Sequence, residues 1–358
     1  MNLKVGIVGL PNAGKSTLFN ALLKKQVAFA ANYPFATIEP NIGVVPVPDA
    51  RLEKLAEITK EEDHLEKLPP LRPATVEFVD IAGLVKGASE GEGLGNKFLA
   101  HIRECNIICN VLRFFPDSAI VHTEGTIDPE RDRIIVETEL VLADLQTLNK
   151  QAEPKMNATK EERQRFELVK KLKVAMDGGK RARELLTDPE EEALIRPLQL
   201  LTMKPIVYVG NVSESQLVDP PQTKLDPIVF ISAQTESELS AMTPEEQKEY
   251  LRALGVKASG LDLLIRTAYT TLGLISFLTT GELESRAWTI ERGLKAPQAA
   301  GVIHTDFEKK FIKADTIAFE DFVRSRGWKK AREAGKVRSE GKEYEMNDGD
   351  VVEFKIGS

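Results

Sequence analysis

The sequence predicts an α/β fold: a mainly parallel sheet with helices on both faces, interrupted by a helical insertion and followed by a smaller α+β domain. Three observations predict it. Strand and helix patterns alternate from residue 1 to about 120 and resume after 200. A glycine-rich turn joins the first strand to the first helix. Two stretches, about 128–200 and 277–358, abandon the alternation.

The first strand is the apolar run Leu3 to Val8, and Thr17 to Lys25 reads as a helix with Leu18, Phe19 and Leu22 on one face. Ile42 to Val47 and Thr75 to Val79 read as strands, Leu94 to Glu104 as a helix, and Ile107 to Phe114 as a strand. Strands return at Ile206 to Val209 and Ile228 to Ile231, and helices follow at about 244–254 and 261–273. Between the series ending at Phe114 and the one resuming at Ile206, Asp128-Pro129 offers an N-cap with proline at the first helical position. Ile134, Val141, Leu145 and Leu148 then recur at helical spacing, as do Phe166, Val169, Leu172 and Val174. The polar stretch Pro154 to Thr159 separates the two sets, which predicts two antiparallel helices joined at a tip. After about 277, short apolar stretches (Ala287 to Ile290, Ala300 to Ile303, Val351 to Ile356) alternate with turn residues, and Phe319 to Arg326 reads as a helix. The expected division is 1–127 with 201–276, then 128–200, then 277–358.

With 358 residues, the chain is long enough for two or three cores. No run of about 18 apolar residues exists, so no membrane span is expected. The first strand begins so early that no leader peptide is expected. Cys105 and Cys109 stand in an apolar stretch without a second Cys or His pair, which points to buried thiols and a cytoplasmic setting. The net charge of −7 excludes a bulk nucleic-acid binder, yet positive charge is concentrated locally. Lys150 to Arg183 carries eleven Lys/Arg against five acids. Arg324, Arg326, Lys329, Lys330, Arg332, Lys336 and Arg338 form a second basic segment. Both suit an RNA-facing surface, and both also suit a solvated helix face.

Gly9-Leu10-Pro11-Asn12-Ala13-Gly14-Lys15-Ser16 fits G-x-x-x-x-G-K-[ST] in the strand–turn–helix context that the motif requires. Its backbone N–H groups and the helix N-terminus make an anion cradle. Asn12, Ala13, Gly14, Lys15, Ser16 and Thr17 are the expected phosphate contacts. Lys15 is placed to reach the β- and γ-phosphates, and Ser16 to bind Mg2+. Asp80-Ile81-Ala82-Gly83 follows a strand, as the D-x-x-G of a switch-type nucleotidase does. Asp80 then serves Mg2+ and the Gly83 N–H meets the γ-phosphate. Thr37 is the candidate threonine that completes the metal shell. Lys15, Thr37 and Gly83 are the catalytic candidates. Gly83, Gly87, Gly91, Gly93 and Gly95 predict a segment that orders on ligand or partner.

Leu84 stands where Ras-like enzymes carry a water-orienting glutamine, and leucine cannot hydrogen-bond water. Slow intrinsic hydrolysis is expected. By analogy with other P-loop proteins, Asn12 is a candidate to help hold a K+ ion at the phosphates. Guanine-specific enzymes use N-K-x-D, whose aspartate accepts from two guanine N–H groups. Here the motif is Asn211-Val212-Ser213-Glu214. Glu214 is one methylene longer, and Val212 lacks the lysine stem. A site built to hydrogen-bond a group discriminates by up to about 10^4-fold and loses this when the acceptor is misplaced. Weak guanine selectivity is expected, with the Asn211 amide oxygen available to an adenine amine. Ser232-Ala233-Gln234 stands where a backbone N–H contacts the base.

These blocks resemble the YchF subfamily of the Obg-related P-loop NTPases, whose eukaryotic members are called Obg-like ATPases. So do Asn32-Tyr33-Pro34-Phe35-Ala36-Thr37-Ile38-Glu39-Pro40-Asn41, Asp80 through Ser89, Arg286-Ala287-Trp288-Thr289-Ile290, and Ala296 through Glu308. The resemblance covers essentially the whole chain. It implies a P-loop nucleotide domain, a coiled-coil insertion, a C-terminal TGS domain of β-grasp type, a preference for ATP over GTP, slow hydrolysis and association with the ribosome. A monomer is expected. Many relatives carry a histidine considered for water activation where this chain has Asn110, and His101, one helix away, is a weaker substitute. Asparagine positions water but is no general base near neutral pH. Two other readings stay open: a nucleotide-gated ribosome- or RNA-binding module with negligible hydrolysis, and a GTPase with a degenerate base-reading motif.

Overall fold

The computed structural model describes residues 3–32, 41–81, 94–116 and 127–357. Thr37, Gly83, Leu84 and the other glycines up to Gly93 lie outside them. The chain forms two compact units, one of Asn2–Val45 with Glu77–Ala268, the other of Pro46–Val76 with Tyr269–Ser358.

The elements follow in chain order. They are β1 (Lys4–Val8), α1 (Lys15–Asn32), β2 (Ile42–Pro46), α2 (Arg51–Glu62), β3 (Leu71–Arg72), β4 (Thr75–Asp80), α3 (Leu94–Glu104) and β5 (Ile107–Arg113). Next come α4 (Pro129–Asn149), α5 (Lys160–Asp177), α6 (Ala182–Leu185), α7 (Pro189–Ile195), β6 (Ile206–Asn211), α8 (Glu214–Val218), β7 (Ile228–Ile231), α9 (Ala233–Leu239), α10 (Pro244–Ala253) and α11 (Gly260–Thr271). The chain ends with β8 (Leu274–Thr280), β9 (Ser285–Glu291), α12 (Ala296–Ile303), α13 (Thr305–Lys309), β10 (Phe311–Ala318), α14 (Phe319–Ser325), α15 (Trp328–Glu333), β11 (Arg338–Glu340) and β12 (Asp350–Ile356).

The first sheet has the order β2-β4-β1-β5-β6-β7, with the pairs from β4 through β7 parallel. Every residue of β5 and β6 is buried, as continuous apolar runs in a covered parallel sheet must be. One face carries a cluster in which Val8, Ile108 and Leu112 meet Phe98, Leu99 and Ile102 of α3 and Val136 and Leu140 of α4. Register places Val8 beside Asn110, Arg113 beside Asn211, and Asn211 beside Ile231. The strand ends therefore deliver their following loops to one edge, the usual place for a ligand in an open α/β sheet.

The insertion is helical. Asp128 caps α4 by accepting from Arg131 N at 3.0 Å, with Pro129 at the first position. Thr159 and Glu162 cap α5 reciprocally, at 3.2 and 2.7 Å. Val141 and Leu148 of α4 share one cluster with Leu168, Val169, Leu172 and Met176 of α5. Burying that stripe holds the pair, because most of a helix's stability in a protein comes from packing its apolar face. Asp144 fastens α4 to the chain beyond, accepting from Leu201 N (2.7 Å), Thr202 N (2.8 Å) and Thr202 Oγ1 (2.7 Å).

The second unit holds a sheet of order β11-β10-β12-β8-β9-β3. The β12–β8 and β3–β9 pairs are parallel; β8–β9, β10–β12 and β10–β11 are antiparallel. Two of the three apolar stretches noted in the sequence are strands. Ala300 to Ile303 instead closes α12, because Ala296, Ala299 and Ala300 favour helix and Pro297 starts one. Glu62, the last residue of α2, accepts from Trp328 N (2.9 Å) and Lys329 N (2.6 Å). It thereby caps α15. No helix among the described residues is long and apolar enough to cross a membrane.

Candidate functional site

The loop after β1 turns on three positive-φ residues: Gly9 at +146°, Asn12 at +64° and Gly14 at +98°. The glycines are also dictated by space. A Cβ on Gly9 would stand 2.5 Å from Val111 O, and one on Gly14 would stand 2.0 Å from Asn211 Nδ2. Lys15 opens α1 with only 8 % of its surface exposed, and its Nζ donates to Leu10 O at 2.8 Å. Ser16 and Thr17 beside it are exposed.

Asp80 ends β4, in register with Ile7 of β1, and its N–H donates to Asn41 O at 3.0 Å. Burial lowers the pKa of Lys15, and the attraction of Asp80 partly offsets this. Burial raises that of Asp80, with Lys15 as the offset. Each is thus partly desolvated, and each lies in the other's favourable field.

The other end is built from β6 and β7. Asn211, 5 % exposed, uses both ends of its amide: Nδ2 donates to Ala13 O at 3.0 Å and Oδ1 accepts from Ala233 N at 3.1 Å. The sequence offered that oxygen to an adenine amine; the structure commits it to Ala233. Asn211 thus ties the phosphate loop to the 232–234 loop. Val212 is buried, and its N–H donates to Ile231 O at 2.9 Å. Ser232 caps α9, its Oγ accepting from Thr235 N at 3.2 Å. Gln234 is exposed, and its Nε2 donates to Glu238 Oε1 at 3.2 Å. Glu214 is exposed at the start of α8, its Oε2 accepting from the Tyr250 hydroxyl at 2.9 Å.

A cavity of about 780 Å3 collects these groups. Asn12, Gly14, Lys15, Ser16 and Thr17 line one end; Asn211, Val212, Ser213, Glu214, Ser232, Ala233 and Gln234 line the other. Ala13 is buried behind that lining, its carbonyl accepting from Asn211 Nδ2. The volume falls within the usual range for small-molecule sites. Sequence reasoning missed Phe115, Pro116, Ser237 and Glu238, which also line it. The available signal was an aromatic immediately after the central strand. Arg113, fully buried, holds that aromatic, with its guanidinium 4.6 Å from the Phe115 ring centre and its Nε donating to Phe115 O at 3.2 Å.

Asn110 has no exposed surface, and neither atom of its amide has a hydrogen-bond partner among the described residues. Such a group is rare and costly in a native interior. His101 is exposed on α3. Cys105 and Cys109 are buried thiols, pushed up by burial to about 11 and about 12. Among the described residues no three His, Cys, Asp or Glu side chains cluster as a metal site.

A strand, a phosphate-cradling loop, a lysine and a base-side loop on one parallel sheet define a P-loop nucleotide-binding protein. A family model described as "50S ribosome-binding GTPase" matches residues 4–150, and the YchF-type GTPase C-terminal model, described as a protein of unknown function, matches 274–357. The chain belongs to the YchF family. It is 46 % identical over 372 residues to the ribosome-binding ATPase YchF of Bacillus subtilis, covering 99 % of this chain and 100 % of that one. It is 47 % identical over 374 residues to the Haemophilus influenzae protein of the same name, with 99 % of each covered. The solved YchF GTPase of Schizosaccharomyces pombe superposes with a TM-score of 0.85 at 38 % identity, covering 99 % of this chain and 98 % of that one.

Proposed function

We propose that this chain is a slow ATPase that works as a switch on the ribosome. The observation that carries the choice of ATP is the position of Glu214. It replaces the guanine-gripping aspartate, and its carboxylate is held at the rim by Tyr250. The bacterial relatives are named ribosome-binding ATPases, which supports both substrate and partner.

The residues at the phosphate end suit Mg2+. Ser16 offers an exposed hydroxyl at the start of α1 and Asp80 a half-buried carboxylate at the end of β4. Mg2+ takes few protein oxygens and fills its shell with phosphate and water, and it would neutralise charge on the phosphates. Thr37 would complete the metal shell, Asp80 would act on it from the second shell, and Asn12 would help hold a K+ ion. Lys15 exchanges the Leu10 carbonyl for β- and γ-phosphate oxygens. Its charge and the loop's N–H groups, with that of Gly83, stabilise the transferring phosphoryl group. Water attacks without a strong protein base, since Leu84 cannot orient it and Asn110 can only position it.

In this reading residues 1–127 and 201–276 form the nucleotide domain, 128–200 a coiled-coil arm, and 277–358 a β-grasp-like TGS domain. The basic faces of the arm and the TGS domain meet ribosomal RNA. The protein acts as a cytoplasmic monomer. A second reading, a nucleotide-gated binding module with negligible hydrolysis, is favoured by Leu84 and Asn110. Single-turnover ATP hydrolysis, measured with and without ribosomes and K+, separates the two. Turnover that ribosomes accelerate and that Lys15→Ala abolishes supports the switch. Full activity in Lys15→Ala, or no turnover under any condition, refutes it.

A further inference from the structure

The rim of the cavity carries an arrangement that phosphoryl transfer does not use. The Tyr250 hydroxyl lies 2.9 Å from Glu214 Oε2 and 3.5 Å from Glu238 Oε2. Glu238 accepts from Gln234 through its other oxygen. One hydroxyl on α10 therefore stands between two carboxylates, one on α8 and one on α9.

Tyr250 sits on an anchored helix. Thr243 and Glu246 cap α10 reciprocally, the Thr243 N–H donating to Glu246 Oε2 at 2.7 Å and Glu246 N to Thr243 Oγ1 at 3.3 Å. One turn before Tyr250, Gln247 donates to Leu239 O at 2.9 Å and Met242 O at 3.2 Å, which pins α10 to the end of α9. On the other side, Ser213 and Gln216 fix the start of α8, with Ser213 N donating to Gln216 Oε1 at 3.0 Å. Donor and acceptor are thus both held from behind.

A tyrosine hydroxyl has one proton to give. It goes to Glu214, whose carboxylate lies toward α10. A carboxylate that reads guanine must instead accept the N1–H and N2–H protons from the cavity side. We infer that Tyr250 is a positioning residue for base selectivity: its hydroxyl holds the Glu214 carboxylate at the rim, so that guanine finds no acceptor there. Glu238 sharpens the effect. Without the proton, two carboxylates face one point, and repulsion drives Glu214 inward.

The inference rests on the ATP-preferring reading above, and the test separates the two. Calorimetric Kd values for AMP-PNP and GMP-PNP, each with Mg2+, are compared in the wild type, Tyr250→Phe and Tyr250→Phe/Glu214→Ala. Phenylalanine keeps the ring, and a melting curve checks that the fold survives. Losing one solvent-exposed hydrogen bond to a carboxylate should shift the ATP-to-GTP preference about three- to tenfold toward GTP in Tyr250→Phe. The double variant should show no such shift, because the freed carboxylate is gone. A preference unchanged within about twofold in Tyr250→Phe, or a shift that persists without Glu214, overturns the role of Tyr250 and leaves the ATP reading standing. A wild type that prefers GTP overturns both.

Discussion

Replacing Asn211 by alanine should weaken ATP and GTP binding together. The side chain is 5 % exposed and makes two hydrogen bonds, to Ala13 O at 3.0 Å and from Ala233 N at 3.1 Å. Truncation leaves both backbone groups without their partner. A buried polar group that loses its partner costs about 1–3 kcal/mol, so the pair costs about 2–6 kcal/mol. Asn211 lines the cavity, where water can replace part of what is lost, so about 2–3 kcal/mol is the expected effect. At about 1.4 kcal/mol per tenfold, Kd should rise roughly 30- to 150-fold. The loss should be the same for both nucleotides, because Asn211 fastens loops and does not read the base. Calorimetric titrations of wild type and variant with AMP-PNP and GMP-PNP measure it. A loss confined to the adenine nucleotide would refute the fastener role and restore Asn211 as a base reader.

Gly14→Ala should strongly weaken nucleotide binding, since φ is +98° and the new Cβ meets Asn211 Nδ2 at 2.0 Å. Paired with Asn211→Ala, it should lose less than the sum of the single losses in a double-mutant cycle, because the clash is gone; strict additivity contradicts this. Glu236 accepts from Ser259 Oγ at 2.7 Å and Gly260 N at 2.6 Å, and burial raises its pKa above the ordinary 4.5. The stability this group contributes is present below pH 4.5 and is lost as pH rises through the raised value. Glu236→Gln does not titrate, so urea denaturation should show it gaining on the wild type from acid to neutral pH. Parallel pH profiles would sink the argument. Asn110→Val removes a buried amide that has no hydrogen-bond partner among the described residues, so it should raise Tm while lowering single-turnover hydrolysis. A lower Tm means that the amide is satisfied, by a bound water for instance.

What was legible in the sequence was local. The strand before Gly9, the turn and α1 follow from one motif whose spacing and context are fixed by phosphate binding. Leu94 to Glu104 and Ile228 to Ile231 match α3 and β7 residue for residue, because apolar period and flanking breakers agree there. What escaped depends on partners far along the chain. The role of Asn211 is set by residues 198 and 22 positions away, which no local pattern reports. Tyr250 reaches Glu214 across 36 residues. Residues 46–76 showed no sign of belonging with the C-terminal sheet, although Leu52, Leu55, Ala56 and Ile58 repeat at helical spacing along α2. The Ala300 to Ile303 stretch gave too little length to separate helix from strand, and only Pro297 with the alanines before it decides the matter.

Glu214 is the residue on which substrate choice turns, and a crystal structure with a non-hydrolysable ATP analogue and Mg2+ addresses it directly. The account predicts Lys15 Nζ on the phosphates and off the Leu10 carbonyl, with the Glu214 carboxylate still on the Tyr250 hydroxyl and off the purine edge. A matching complex with the guanine analogue in which both Glu214 oxygens grip the base would contradict it.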